Sequence, residues 1–429
     1  MKTIIVLDDD PTGTQTVHGV PVITNWRKGT IEQEFRGKTP LFFILTNSRA
    51  LIEREAEILA FSIGKNLKEI GKPNVLISRS DSTLRGHFPA EVNALAKGLG
   101  FESDFLIVLA PAFFEGNRFT KDDTHYVKEG EDWIPIAELP YSKDKTFGYQ
   151  NSNLREWVQE KSKGSITAKE IDSVSIQELE SNAEDVILKK IEGAKKVLII
   201  NALEVNHLVV FSKIIQKTDR QIIYRTAASF VPVFGKITQK DLLQKEDFNV
   251  QSKASGGLII VGSHVPKTTV QLNELLKSGI SSIEFEVEKY IKDSESYLRT
   301  LSKFVNVTLA NKQDLVLYTS RELVSKTLEN DSLLLSIKVS EGLIYIVKNL
   351  TQKPAFLIAK GGITSSDIAT KGLNIQRAMV RGQILPGIPV WQADQNARFP
   401  DLTYVVFPGN VGDDMGLLDA YNKLKSNHE

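Results

Sequence analysis

Asp8, Asp9 and Asp10 stand side by side after the apolar run Ile4–Leu7 and lead into Pro11-Thr12-Gly13-Thr14. Three like charges on one loop repel one another, so the grouping points to a cation or a polar ligand that offsets the repulsion. A solvated acidic turn is the plainer alternative. Asp81 lies in a second polar string, and Arg49, Arg79 and Arg85 follow other apolar runs. Guanidinium forks grip carboxylates, and carboxylates accept hydrogen bonds from hydroxyls, so Asp9, Asp10 and Asp81 with these arginines would surround a small hydroxylated anion such as a sugar acid. An internal salt-bridge cluster would use the same residues.

A second kind of chemistry is written in glycine. Gly361-Gly362 precedes Thr364, Ser365 and Ser366, and Gly409-Asn410-Val411-Gly412 forms another such turn. Glycines let backbone N–H groups approach an anion closely, so each turn could hold a phosphate, the alternative being a turn that only needs positive φ. Gly-x-x-x-x-Gly-Lys-Ser/Thr and a strict Gly-x-Gly-x-x-Gly are both absent, against a P-loop or a standard dinucleotide site. Ser263 follows Gly262 without Gly-x-Ser-x-Gly, against an esterase nucleophile. The six histidines show no metal-ligand spacing, and His87 and His264 alone fall near the two candidate sites.

The elements that must position these residues read as strands ending in polar tails. Phe42–Leu45, Val75–Ser78, Leu106–Leu109, Val197–Ile200 and Ile222–Tyr224 fit this pattern in the first half, and Leu258–Val261, Leu315–Tyr318, Ala355–Ala359 and Val405–Phe407 in the second. Helix-period segments lie between several of them, which predicts parallel sheets with crossover helices whose strand ends share one ligand-binding edge. Ile52, Ala56, Leu59, Ile63, Leu67 and Ile70 make one helical stripe over Leu51–Ile70, and Pro89 opens a helix to about Lys97. From Phe113 to about Lys163 no period is sustained, which predicts a lid, an insertion or a surface loop. The polar stretch Gly235–Gly257 reads as an interdomain connection.

A chain of 429 residues, 41% hydrophobic, calls for two domains. The expected architecture is α/β: two domains, each a mainly parallel sheet flanked by helices, with the active site in the interdomain cleft. Residues 1–245 would bind substrate and 246–429 nucleotide. Equal numbers of basic and acidic residues, 53 each, argue against a nucleic-acid or membrane-surface binder. Cysteine is absent, which excludes disulfides and thiolate chemistry. No apolar run is long enough for export or for spanning a bilayer, so a cytoplasmic protein is expected. Self-association stays open.

At these residues the sequence resembles the four-carbon acid sugar kinases, which include threonate, erythronate and 3-oxo-tetronate kinases. The resemblance rests on Asp9-Asp10-Pro11-Thr12-Gly13, Asn47-Ser48-Arg49-Ala50, Asp81 to Gly86, Pro111-Ala112-Phe113 and Arg225 to Phe230. In the second half it rests on Gly262-Ser263, Gly361 to Ser365 and Gly409 to Gly412. Pro11 stands where the family commonly has an aromatic, and Arg79 where it commonly has a lysine. The resemblance implies that Asp9 or Asp10, Arg49 and Arg79-Ser80-Asp81-Ser82 hold an acid sugar. It places ATP at Ser263, at Gly361, Gly362, Ile363 and Thr364, and at the Gly409, Asn410 and Gly412 turn, with Mg²⁺ on the phosphates. Asp10 or Asp81 would orient the attacking hydroxyl, Asp413 and Asp414 being alternatives. A nicotinamide-dependent hydroxy-acid dehydrogenase and a non-catalytic two-domain binding protein are the rival readings.

Overall fold

The computed structural model describes residues 3–71, 75–101, 104–248, 255–321 and 332–425. Two compact units divide the chain, Met1–Gln239 and Lys240–Glu429. Part of the expected connection, Gln251 to Ala254 among it, lies outside the described residues.

In the first unit the strands are β1 (Ile4–Asp8), β2 (Val20–Ile23), β3 (Leu41–Leu45), β4 (Val75–Arg79), β5 (Leu106–Ala110), β6 (Arg118–Lys121), β7 (Thr124–Glu129), β8 (Asp132–Pro135), β9 (Ile171–Val174), β10 (Val197–Ile200) and β11 (Ile222–Thr226). Eight of them form a sheet in the order β2-β3-β1-β4-β11-β5-β10-β9. Each neighbouring pair is parallel. The middle strands are apolar along their length because helices cover both faces, and Ile5, Val6, Phe42, Phe43 and Ile77 have no accessible surface. Asp8 pairs with Leu45 on one side and with Arg79 on the other, while Arg79 also pairs with Thr226. This register brings the polar tails of β1, β3, β4 and β11 to one edge.

Helices Glu53–Ile70 and Ala90–Leu99 pack closely enough to require glycine at their contact. A Cβ on Gly64 would lie 2.5 Å from the Leu95 carbonyl, and one on Gly98 2.3 Å from that of Phe61. Ile52 departs from the expected stripe: it is the N-cap residue, ahead of the first turn, and is 64% exposed. The aperiodic region after Phe113 is also more ordered than its sequence suggests. It folds as the antiparallel sheet β6-β7-β8, followed by a helix over Leu154–Lys161. Trp157 of that helix stacks on Phe88 at 4.9 Å between ring centroids and is buried in the first unit's core.

The second unit contains β12 (Leu258–Val261), β13 (Ser281–Phe285), β14 (Leu315–Thr319), β15 (Leu357–Lys360), β16 (Arg377–Leu385), β17 (Ile388–Ala393) and β18 (Thr403–Phe407). Their order is β13-β14-β12-β15-β18-β17-β16. The first five are parallel and the last two antiparallel. β16 alternates strictly, with Ala378, Val380, Gly382 and Ile384 inward, as a strand covered on one face must. Among the described residues no helix is long and apolar enough to cross a membrane.

Candidate active site

β1 ends at Asp8, and the next two residues turn over the sheet edge into a short 3₁₀ helix, Pro11–Thr16, which Asp10 caps through the Thr12 N–H at 2.6 Å. Asp8 points inward and takes Arg79 at 3.1 Å. Its carboxyl has almost no accessible surface, and burial pushes its pKa up to about 8, against the opposing pull of Arg79. Gly13 makes this placement feasible, since a Cβ there would lie 2.0 Å from Asp8 Oδ2. Asp9 is equally buried, accepts a hydrogen bond from the Ser80 hydroxyl, and lies 3.2 Å from Arg49 Nε.

Arg49 joins the polar strings. Its Nε faces Asp9, its Nη2 is in close contact with Asp10, and its Nη1 lies 3.6 Å from Asp81. The loop that presents it turns through Asn47 at φ 52°, a left-handed conformation that asparagine tolerates well. Burial opposes ionisation of Asp10, but Arg49, Arg79 and the Thr12 hydrogen bonds outweigh it and hold the carboxyl below its ordinary range. Burial is likewise outweighed at Asp81, where Arg85, Arg49 and Thr83 hold the carboxyl far below that range. Both side chains are therefore ionised acceptors at neutral pH. Unlike Asp8 and Asp9, they keep an accessible edge, 20% at Asp10 and 12% at Asp81.

The repulsion among the three aspartates is thus offset by arginine, Arg79 at Asp8 and Asp9 and Arg49 at Asp9 and Asp10, and by the proton that burial keeps on Asp8 at neutral pH. Among the described residues no group of three or more acidic or histidine side chains is placed to hold a metal ion. All three Arg49 nitrogens face carboxylates, so the salt-bridge cluster is present. Arg85 is freer: its Nε meets Asp81 at 2.6 Å, its Nη1 is 3.7 Å from Asp144, and 29% of its side chain is exposed.

Further residues complete the site, and of these His125, Tyr149 and Arg118 carried little signal in the sequence. Arg225, the first residue of the Arg225 to Phe230 string, holds Ser78 and Ser80 through hydrogen bonds of 2.8 and 2.7 Å and is 3.7 Å from Glu91. A Cβ on Gly86, at φ 131°, would strike this cluster 2.7 Å from Arg225. His125 of β7 accepts at Nδ1 from the Thr120 hydroxyl at 3.0 Å, and its Nε2 donates to the Ser82 carbonyl at 2.8 Å. Burial lowers its pKa to about 4, so the ring is neutral. Tyr149 donates to the Thr83 carbonyl at 2.8 Å. The region after Phe113 therefore pins the Asp81 turn from outside. It also supplies Arg118, whose guanidinium sits 5.7 Å from the Phe113 ring and 5.9 Å from that of Tyr141, with no carboxylate partner among the described residues. Arg85 reaches the same Tyr141 ring at 5.5 Å. His87 is structural, lying 3.0 Å from the Leu51 carbonyl and 4.9 Å from the Phe147 ring.

In the second unit the turns after β12, β15 and β18 meet. Gly361 has φ 124°, a conformation that favours glycine, and its N–H donates to the Phe407 carbonyl at 2.8 Å. A Cβ there would sit 3.0 Å from that of Ser263, and one on Gly409 3.0 Å from the Ser263 hydroxyl. Thr364 lies beside Gly262, where a Cβ would be 2.4 Å from its hydroxyl. Ser263, Gly361, Thr364 and Gly409 are therefore together, while Gly362 and Ile363 begin the helix over Gly362–Asp367, with Ile363 61% exposed. Asn410 is exposed, and Gly412, at φ 84°, passes Gln271, which donates to the Val411 and Asp413 carbonyls. Asp413 and Asp414 are exposed in the same turn. His264, exposed, lies 3.4 Å from Thr319.

Residues 4–233 match the family described as sugar-binding N-terminal domain, and residues 258–417 the nucleotide-binding C-terminal domain. No curated protein matches the chain. Among solved structures it is similar to a Salmonella typhimurium LT2 protein provisionally described as a tRNA synthase, at 16% identity and a TM-score of 0.73, covering 99% of this chain and 100% of that one. It is also similar to the Haemophilus influenzae protein HI1011, described under DUF1537, at 15% identity and a TM-score of 0.69, with 97% and 99% covered. At such identities the likeness shows a shared fold. With more than half of its length matched by the first family model and most of the remainder by the second, the chain belongs to the family that joins a sugar-binding N-terminal domain to a nucleotide-binding C-terminal domain.

Proposed function

We propose that the protein is an ATP-dependent kinase that phosphorylates a terminal hydroxyl of a four-carbon acid sugar of the threonate, erythronate or oxo-tetronate type. The observation that carries the reading is the pair of ionised, partly accessible carboxylates, Asp10 and Asp81, held on either side of Arg49 in the sugar-binding unit. Ionised carboxylates in this setting accept hydrogen bonds from sugar hydroxyls and can orient the one that attacks. Arg85, with its exposed edge, suits the substrate carboxylate better than Arg49, whose nitrogens are already engaged. Ser80 and Ser82 stand beside Asp81 on the same turn.

The matched nucleotide-binding domain and the glycine turns at Gly361 and Gly409 suit ATP. Backbone approach there is as close as the chain allows without side chains. Mg²⁺ bound to the phosphates would neutralise their charge; it is commonly held by phosphate oxygens and waters rather than by an all-protein cage. Phosphoryl transfer depends mostly on positioning and charge compensation, so strongly acidic carboxylates that orient a hydroxyl are adequate without a strong base.

The test is ADP release over a panel of threonate, erythronate and related four-carbon acids, with and without Mg²⁺. Turnover with one member is expected, together with a loss of roughly 10²–10³-fold in Asp81→Asn at unchanged fold. Reduction of nicotinamide by a hydroxy acid, with no ADP release, would favour the dehydrogenase reading instead.

A further inference from the structure

Lys360 ends β15 with no accessible surface, directly before Gly361. Its ammonium stands 3.9 Å from the Phe407 ring centroid and donates to the Pro408 carbonyl at 2.7 Å and the Gly409 carbonyl at 3.3 Å. Among the described residues no carboxylate pairs with it, and the one charge that acts on it is Lys267, a like charge on the helix Pro266–Lys277. β12, on its other side, places Val261 opposite Lys360. Of the other titratable groups at this edge, Asp414 and His264 are exposed to solvent, and Asp367, Asp413 and Arg321 have partners of their own. Asp367 takes Lys371 at 2.7 Å, Asp413 accepts from the Met415 N–H at 3.1 Å, and Arg321 donates to the Ser263 carbonyl at 2.7 Å.

An ammonium withdrawn from water against carbonyls and a ring face is disfavoured unless a counter-charge arrives. Burial, reinforced by Lys267, lowers the Lys360 pKa to about 7. The carbonyls it grips belong to the Pro408–Gly409 bend, and Gly361 is the next residue. Any anion seated at these two bends would stand as the missing counter-charge.

We propose that Lys360 is the positioning residue for nucleotide phosphates in this unit, fixing the Gly409 bend and taking up a proton from solvent when the phosphates bind, so that nucleotide affinity falls as the solution becomes more alkaline. This rests on the nucleotide-binding reading of the Gly361 and Gly409 turns. Lys360 acts through those turns and does not touch the ligand.

Calorimetric titration of ADP into the full chain, in two buffers of different ionisation enthalpy at pH 7.5, tests it. Uptake of a fraction of a proton per ADP is expected, as is a Kd that rises by roughly five- to tenfold between pH 8 and 9. Phosphate ionisation, near pH 6, is complete there and adds no slope. Lys360→Met should weaken ADP at pH 7.5 and remove both the uptake and the slope. Lys360→Arg, whose charge is permanent, should retain affinity and lose the slope, and it carries the test if the methionine variant does not fold. ADP binding with no buffer dependence in the wild type, or an unchanged slope in Lys360→Arg, would overturn the proposal. No ADP binding at any pH would remove the nucleotide reading itself, and this inference with it.

Discussion

Replacing Arg49 by methionine should convert the cluster at the β1 edge from a source of stability into a liability whose size depends on pH. Arg49 faces Asp9, Asp10 and Asp81 with three separate nitrogens, and 17% of its side chain is exposed. Removing one partner of a buried ion pair costs about 3–5 kcal/mol, and the partial exposure argues for about 3. For a unit of this size about 2–4 °C accompanies each kcal/mol, so a fall in Tm of about 6–12 °C is expected at pH 7.5. The sign with pH follows from linkage. In the wild type Asp10 and Asp81 are held below their ordinary range, so the stability they lend is full above about pH 4 and is lost as pH falls through their folded values. Without Arg49, burial and mutual repulsion push these carboxyls up. The variant then gains protons on folding, and its deficit should narrow as pH drops from 7.5 toward 5. Thermal unfolding followed by circular dichroism at pH 5, 6 and 7.5 measures this. A deficit under about 2 °C at pH 7.5, or one that widens toward pH 5, would refute the electrostatic account of the cluster.

Asp8 runs the other way: burial raises its pKa to about 8, so the folded chain retains a proton that the unfolded chain releases near pH 4, and stability is lost as pH rises across that window. Asp8→Asn should flatten the stability profile between pH 4 and 8, as read from denaturant midpoints. Gly361→Ala forces a side chain into φ 124° and to within 3.0 Å of Ser263 Cβ; nucleotide affinity should fall by about tenfold or more, at a strain cost of about 1–3 kcal/mol, measurable by ADP titration. Arg118→Met should raise KM for the acid substrate by about tenfold, the equivalent of about 1.4 kcal/mol, with a smaller change in kcat, because Arg118 stands on Phe113 and Tyr141 without a carboxylate of its own.

Most of the parallel strands were legible because burial on both faces demands uninterrupted apolar runs, and the polar residue that ends each run marks the sheet edge; β2, β9 and β13, interrupted by proline or by polar residues, were not. β16 was missed although its alternation is present in the residues, since Arg377, Met379 and Arg381 break up any continuous apolar signal. The small sheet β6-β7-β8 was missed for a different reason. Its strands are short and polar, and what orders them is docking: His125 on the Ser82 carbonyl and Tyr149 on that of Thr83. Neither contact has a sequence period. Lys360 stands between Ala355–Ala359 and the glycine pair with no mark of its own in the sequence, and its significance depends on burial that a single position does not announce.

By itself the sequence determined which residues could carry charge and where backbone could approach an anion, because residue type fixes ionisation and glycine fixes conformational freedom. Tertiary structure alone decided the pairing. Parallel register set Asp8 beside Arg79 and brought Arg49 among three carboxylates, which fixed which aspartates stay ionised and accessible and which are sealed away. Burial and distance set those pKa values, and both arise only when segments far apart in the chain meet at one sheet edge.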